Sequence, residues 1–421
     1  MDKIKIKGGR KLKGNLKITG AKNSALPLVI ASILTKEKLT LSNVPTLSDM
    51  DTIYAILKEL GVAITINEDV VCFDGSNISN FTASYDLVSS MRASVLILGP
   101  LLARFKSAIV PLPGGCSIGL RPVDLHISAL EKMGAIIKTE HGNIIATAEH
   151  GLKGAEITFD KVSVGATENI LMAASLAQGK SKLVNVAKEP EIVDLANCLI
   201  KMGAKITGAG TSVIEVEGVE SLHSANHRVI ADRIQAGSYA IAAVATRGEI
   251  TLENLDDGIW GNFLDILKDS GAEINDLGSG KLHIKGSKVI NPIDITTAPF
   301  PLFPTDLQSP FMALMTIASG KSVFSEKIFE NRFTIVPELI RMGANINIKD
   351  SSTAVVEGVK ELYSAEVKAT DLRSAFALII AGLVAEGETT VTQLHHLDRG
   401  YVRAVENLLN LGADIKRGVD I

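Results

Sequence analysis

The chain has few aromatic residues, few cysteines and little net charge. Of its 421 residues, 1 is Trp, 5 are Tyr and 12 are Phe. That scarcity argues against an extended base-stacking surface of the kind single-stranded nucleic-acid binders use. A formal net charge of −4 removes the bulk basicity that accompanies nucleic-acid binding. Three cysteines, an odd and sparse set, argue against a disulfide scaffold and for a reducing compartment. No apolar run reaches membrane-spanning length, and the opening MDKIKIKGGRKLKGN lacks the apolar core of a signal peptide. A soluble, cytoplasmic protein is expected. GxGxxG and Walker A patterns are missing, so a dinucleotide or P-loop nucleotide site is not supported. The 8 histidines show no metal-ligand spacing. His395 and His396, read as strand neighbours, would point to opposite faces, which favours a structural or surface role.

What is present is ordinary globular composition, 46% hydrophobic and 21% charged, in a chain too long for one core. Internal repetition organises it. Gly61, Gly134, Gly203, Gly271, Gly343 and Gly412 recur at intervals of 68 to 73 residues. Each closes an amphipathic helical pattern such as DTIYAILKELG or EIVDLANCLIKMG, where glycine reads as the left-handed helix cap. An alternating hairpin follows, and an Ala-rich helix, a turn and a strand precede it. The predicted unit is helix, strand, helix, strand, strand, present six times. The last copy stops at ADIKRGVDI without its final strand, and IKIKGGRKLKGNLKIT at the N-terminus matches what is missing. Pairing the two chain ends gives domain A over 23–230, with the first three repeats, and domain B over 1–22 plus 231–421. The Ala-rich helices are apolar around most of their circumference, which predicts burial. The expected fold is α/β: two inverted barrels, helices inside and sheets outside.

Two positions in each repeat collect chemistry-bearing residues. One is the start of the first helix: Lys22-Asn23, Arg92, Thr167-Glu168, Asp232-Arg233, Thr305-Asp306 and Asp371-Leu372-Arg373. The other is the linker into the second helix: Asp49, Cys116 with Arg121, Glu189 and Glu191, Arg332, and Arg399. Both positions fall at the same end of the unit, so these groups would ring one face of each domain, and two such faces across a hinge would make a cleft. A cation at a helix N-terminus is disfavoured by roughly 0.3–1 kcal/mol. Lys22, Arg92, Arg233 and Arg373 in homologous positions are either solvated charges or an anion site. Asp232, Asp306 and Asp371 read equally as helix caps.

Cys116 lies in PLPGGCSIGLRP, residues 111–122, whose glycines and prolines dictate a loop. A thiol on such a loop beside Arg121 is accessible and favoured as thiolate. The alternative is a small apolar filler, the reading that suits Cys72 and Cys198.

The chain resembles the UDP-N-acetylglucosamine 1-carboxyvinyltransferases, a family of enolpyruvyl transferases. The likeness runs the whole length, through GNLKITGAKNSALP, MRAS, PLPGGCSIGLRPVDLH, DKVSVGATEN, EPEIVD, FPTDLQ, FENRF, ATDLRS and HLDRGY. One departure is Leu96, where some members carry an aromatic residue. The resemblance implies transfer of the enolpyruvyl group of phosphoenolpyruvate to the 3′-hydroxyl of UDP-N-acetylglucosamine, with release of phosphate, and neither metal nor organic cofactor. Lys22, Arg121 and Arg399 would hold the phosphate. Arg332 and Arg373 would hold the carboxylate, with Arg399 a candidate for both and Asn23 close to the donor. Asp306 would be the general base and Cys116 the proton donor at C3. The nucleotide sugar would meet Asn23, Arg92, Arg121, Pro122, Val123, Asp124 and Leu125, the last against the uracil. It would also meet Lys161, Val162, Ser163, Val164, Asp306 and Ile328. No nucleic-acid or membrane partner is implied, and a monomer is expected. The nearest rival is the shikimate-pathway enolpyruvyl transferase, in which the Cys116 loop and RPVDLH are not expected. A catalytically silent nucleotide-sugar binder would have lost Asp306, Cys116 or Arg399.

Overall fold

The computed structural model describes residues 2–112 and 123–419. Cys116, Arg121 and Pro122 lie outside the described residues. The chain forms two compact units, one of residues 20–112 and 123–230, the other of residues 2–19 and 231–419. Residues 20–22, grouped with domain B in the repeat pattern, pack in the first unit. Ala21 N donates to Ile230 O at 2.7 Å, and the Gly20 backbone presses so close to Asn43 that a Cβ would fall 1.8 Å from its carbonyl oxygen.

Sheets form because the strands alternate. In Lys180–Val184 (KSKLV) the lysines are exposed while Ser181 and Leu183 are buried, as a sheet with one wet face requires. That strand pairs antiparallel with Val213–Glu217, which pairs antiparallel with Lys205–Thr207. A short strand absent from the predicted unit, Glu156–Thr158, adds in parallel on the other side. The same four-stranded order recurs in five of the six sheets among the described residues. The sixth has three strands, with Thr82 bridging Ile109 in parallel where the fourth would lie.

The chain ends close as expected. Asp2–Lys7 inserts between Glu388–Thr392 and Asp414–Val419, antiparallel to both, and so takes the place of the missing strand of the last repeat. Lys13–Lys17 then joins Glu249–Glu253 in parallel.

The first helices of the repeats are interior. Every residue of Arg233–Ala245 is buried, as is every residue of Leu372–Val384 from Arg373 to Leu383. These two helices and Gln308–Met315 pack on one another at the centre of the second unit. Their small residues permit close approach: at Gly237 a Cβ would stand 2.7 Å from Leu307 Cδ1. The second helices are amphipathic and end on the repeat glycines, whose φ values run from +88° to +107°, where a side chain would be strained. His395 and His396 correct the strand reading. They open a one-turn helix, His395–Asp398, and their rings lie 4.0 Å apart rather than on opposite faces.

Candidate active site

In the second unit the structure gathers Asp306, Arg332, Arg373 and Asp371. Pro304 ends an extended segment, and Asp306 follows in the single turn Thr305–Leu307, where its side chain caps no helix. Its Oδ1 accepts from Arg332 Nη2 at 2.6 Å and its Oδ2 from Arg373 Nη2 at 2.7 Å. The capping reading therefore fails for Asp306. It holds for Asp232, which accepts from the Ile234 and Gln235 amides, and for Asp371, which forms a reciprocal capping box with Ser374.

Both arginines are 2% exposed. Arg332 is steered by Thr305, whose hydroxyl and carbonyl accept from Nε and Nη2 at 3.3 and 3.4 Å, and by Asp371, 3.9 Å from Nη1. Burial alone would lower the Arg373 pKa, but Asp306, Tyr401 and Asp232 push it up and the net direction is upward. The guanidinium stays charged. Its Nε and Nη1 are buried with no hydrogen-bond partner. Unsatisfied donors on a buried cation cost about 1–3 kcal/mol each, and these two are open to an anionic ligand. Arg399 is half-buried on the turn after His395–Asp398, and Ile328 is half-buried with its amide donated to Glu326 Oε1 at 2.8 Å.

The first unit carries the other helix starts. Lys22 is the first residue of Lys22–Ile30, and its Nζ lies 3.1 Å from Asp49 Oδ2, with both side chains at most 10% exposed. The carboxylate offsets the cost of a cation at that terminus. Asn23 beside it is exposed. Ser24, next along, donates to Asp194 Oδ2. Asp194 also accepts from His227 Nε2 at 2.7 Å and from the Ile230 amide at 3.2 Å. Arg92 opens the 3-10 helix Arg92–Ile97, in which Leu96 is buried as packing. Arg92 helps burial to push the His126 pKa down to about 4, and His126 Nδ1 lies 2.9 Å from Asn169 Nδ2. Glu168 is buried, and burial, Glu191 and Glu189 push its pKa well up.

Ser163 caps Val164–Ser175 by accepting from the Ala166 amide, with Lys161 exposed and Val162 and Val164 half-buried before and after it. Val123 is buried, Asp124 exposed and Leu125 half-buried at the start of Asp124–Lys132. Cys198 is fully buried with its pKa pushed up to about 12, chiefly by burial. Cys72 corrects the filler reading. It is half-buried on Val70–Asp74, where Val71 and Phe73 are the buried neighbours.

Two residues were missed by sequence reasoning. Glu326 is 3% exposed and accepts from Thr297 Oγ1, Thr305 Oγ1 and the Ile328 and Phe329 amides, so it holds the segments on either side of Asp306 and Ile328. No local pattern marks it. Tyr401 is 2% exposed beside Arg373, and its place in HLDRGY could have drawn attention to it.

This architecture recurs in solved enolpyruvyl transferases. The enolpyruvyl transferase NikO from Streptomyces tendae superposes with a TM-score of 0.90 at 24% identity, covering 100% of this chain and 99% of that one. The EPSP synthase from Acinetobacter baumannii gives a TM-score of 0.78 at 20% identity, covering both chains in full. The family model described as EPSP synthase (3-phosphoshikimate 1-carboxyvinyltransferase) matches residues 6–408. A UDP-N-acetylglucosamine 1-carboxyvinyltransferase of Xanthobacter autotrophicus is 53% identical over 99% of both chains, and one of Brucella ovis 52% over the same share. The chain belongs to this carboxyvinyltransferase family. Its fold is the two-unit α/β fold of enolpyruvyl transferases, and among the described residues no helix is long and apolar enough to cross a membrane.

Proposed function

We propose that the protein transfers the enolpyruvyl group of phosphoenolpyruvate to the 3′-hydroxyl of UDP-N-acetylglucosamine. The sugar oxygen bonds to C2 of the enol while C3 gains a proton, giving a tetrahedral phosphoketal. Loss of phosphate from C2 and of a proton from C3 then restores the double bond in the enol ether. The observation that carries the reading is the Arg373 guanidinium, buried and charged with two unused donors, beside a carboxylate shared with Arg332. Phosphoenolpyruvate brings a carboxylate and a phosphate, which forked cations match in geometry and charge. Full-length relatives named for this acceptor support the choice of nucleotide sugar.

In this reading Arg332 and Arg373 take the substrate carboxylate. Lys22, Arg121 and Arg399 take the phosphate, with Asn23 beside Lys22. Asp306 accepts the 3′-hydroxyl proton, which requires hydrogen-bond reach to that oxygen, and Cys116 donates the proton to C3. Arg92, Lys161 to Val164, Val123 to Leu125 and Ile328 contact the nucleotide sugar. The reaction is placed in the cytoplasm as the first committed step of peptidoglycan precursor synthesis, and the epoxide fosfomycin alkylates Cys116.

The test is phosphate release on mixing the protein with both substrates, with the product mass measured. Release that requires UDP-N-acetylglucosamine, with a product heavier by one enolpyruvyl group, supports the reading. Release with 3-phosphoshikimate as acceptor instead would overturn it in favour of the shikimate-pathway reaction.

A further inference from the structure

The turn that carries Arg399 is seated on the start of the helix that carries Arg373. Gly400 lies against Leu372, close enough that a Cβ on Gly400 would stand 2.1 Å from Leu372 Cδ1. The next residue, Tyr401, stacks on Phe376 of that helix, with ring centroids 4.4 Å apart and planes inclined by 17°. Tyr239, from helix Arg233–Ala245, meets the same Phe376 edge-on at 5.0 Å. The Tyr401 hydroxyl is 2.9 Å from Ser238 Oγ, also on Arg233–Ala245.

The direction of that bond can be assigned. Ser238 Oγ donates its single proton to Ile234 O at 2.8 Å, so the hydroxyl of Tyr401 donates to Ser238. The lone pairs of the tyrosine oxygen are left for Arg373. Its guanidinium carbon lies 5.7 Å from the ring centroid, and its charge acts on the hydroxyl. Both the charge of Arg373 and a side-chain hydrogen-bonding interaction with it bear on that hydroxyl, although neither Nε nor Nη1 has a partner in full hydrogen-bond geometry.

We propose that Tyr401 is a positioning residue that sets Arg373 and Arg399 at the spacing one phosphoenolpyruvate molecule requires. It touches two of the three central helices and lies two residues from Arg399 in the chain. Its hydroxyl proton, committed to Ser238, presents the negative end of the dipole to Arg373. That orients the guanidinium without using the two donors reserved for the substrate. A buried aromatic with a single satisfied hydroxyl is rigid, so it fixes both cations before substrate arrives and lowers the ordering cost of binding. This inference rests on the assignment of Arg373 and Arg399 to phosphoenolpyruvate.

Tyr401→Phe keeps the ring and loses the proton donor and dipole. Ser238→Ala removes the acceptor and leaves the tyrosine free to turn its hydroxyl. Steady-state kinetics at saturating UDP-N-acetylglucosamine, with thermal melting in parallel, test the idea. Each variant is expected to raise KM for phosphoenolpyruvate about three- to tenfold, with kcat within about twofold by the same reckoning. The double variant should be no worse than the poorer single variant, because both remove one bond. A parental KM in both single variants overturns the proposal whatever their melting temperatures, since a purely structural role lowers stability alone. Arg373→Lys, measured alongside, separates the two levels: an unchanged KM there overturns the assignment of Arg373 itself.

Discussion

Asp306 Oδ2 accepts from Arg373 Nη2 at 2.7 Å, and that carboxylate is the partner on which a fully buried guanidinium depends. Asp306 balances Arg332 and Arg373 in the free protein, and in the proposed mechanism it also accepts the proton of the 3′-hydroxyl. Asp306→Ala should abolish most turnover and also destabilise the fold, because it leaves buried charged donors unsatisfied, at a cost of about 1–3 kcal/mol or more. The KM for phosphoenolpyruvate should not rise, since two arginines lose a competing anion. Asp306→Asn keeps an acceptor oxygen and should lose turnover with a smaller fall in melting temperature. Turnover near the parental rate in either variant would remove Asp306 from the role of base.

Arg373→Lys keeps the charge and loses the fork. Lysine cannot supply two aligned donors in the place of Nε and Nη1. The loss of a charge-assisted contact, about 1.5–3 kcal/mol, corresponds to a rise in KM for phosphoenolpyruvate of roughly 10- to 150-fold. Arg399→Ala should act in the same direction and slow turnover too if its contact strengthens as phosphate leaves. Initial rates over a phosphoenolpyruvate titration decide it, and unchanged KM values would reassign both residues.

Much of this arrangement was legible in the sequence because it repeats. A left-handed glycine recurring at a fixed interval can mean little besides a helix stop, and all six adopt that conformation. The exchange of Asp2–Lys7 into the last sheet was legible for the same reason, as one repeat lacked what the N-terminus offered. The short parallel strands, such as Glu156–Thr158 and Ala225–Arg228, were not. At three or four residues they are too brief for alternation to register, and only pairing with a distant strand makes them strands. Asp306 showed the limit of local reading. Its cap-like context predicted a helix start, while two arginines 26 and 67 residues away took its oxygens. Tyr401 reaches Ser238, 163 residues away, and Glu326 reaches Thr297, 29 residues away, contacts that one short segment of sequence cannot display.

The cysteines should separate by environment. Cys198 is buried with its pKa pushed up to about 12, so almost none of it is thiolate at neutral pH. Cys72 is half-buried on a strand and is the nearer competitor. Brief exposure to iodoacetamide followed by peptide mass mapping should find Cys116 modified first, Cys72 more slowly, and Cys198 only after unfolding. Fosfomycin should follow the same order, and Cys116→Asp should resist it because a carboxylate is a poorer nucleophile than a thiolate. Labelling of Cys198 in the folded protein at a rate comparable to Cys116 would contradict both the burial and the assignment.

Glu168 and His126 make opposite contributions to the pH dependence of stability. The folded-state pKa of Glu168 is raised, by burial first and then by Glu191 and Glu189. Its carboxyl holds its proton to higher pH in the fold than in the unfolded chain, which ionises near pH 4.5, the ordinary value. The unfolded state therefore binds fewer protons above that pH, and stability declines as pH rises toward the folded pKa. His126 is lowered from 6.5 to about 4, so the unfolded chain binds the extra proton and stability is lost as pH falls from 6.5 toward 4, by up to about 3 kcal/mol. Glu168→Gln preserves the neutral shape of the protonated acid. Its melting temperature should exceed the parent's at pH 7 to 8 and converge with it near pH 4.5. His126→Gln should flatten the acid side between pH 6.5 and 4 and leave the alkaline side as it is. Melting curves across pH 4 to 8 for parent and both variants check the signs separately. If Glu168→Gln lost stability most at pH 8, the acid would have to be ionised in the fold, and the neutral carboxyl beside Glu189 and Glu191 would be the wrong description.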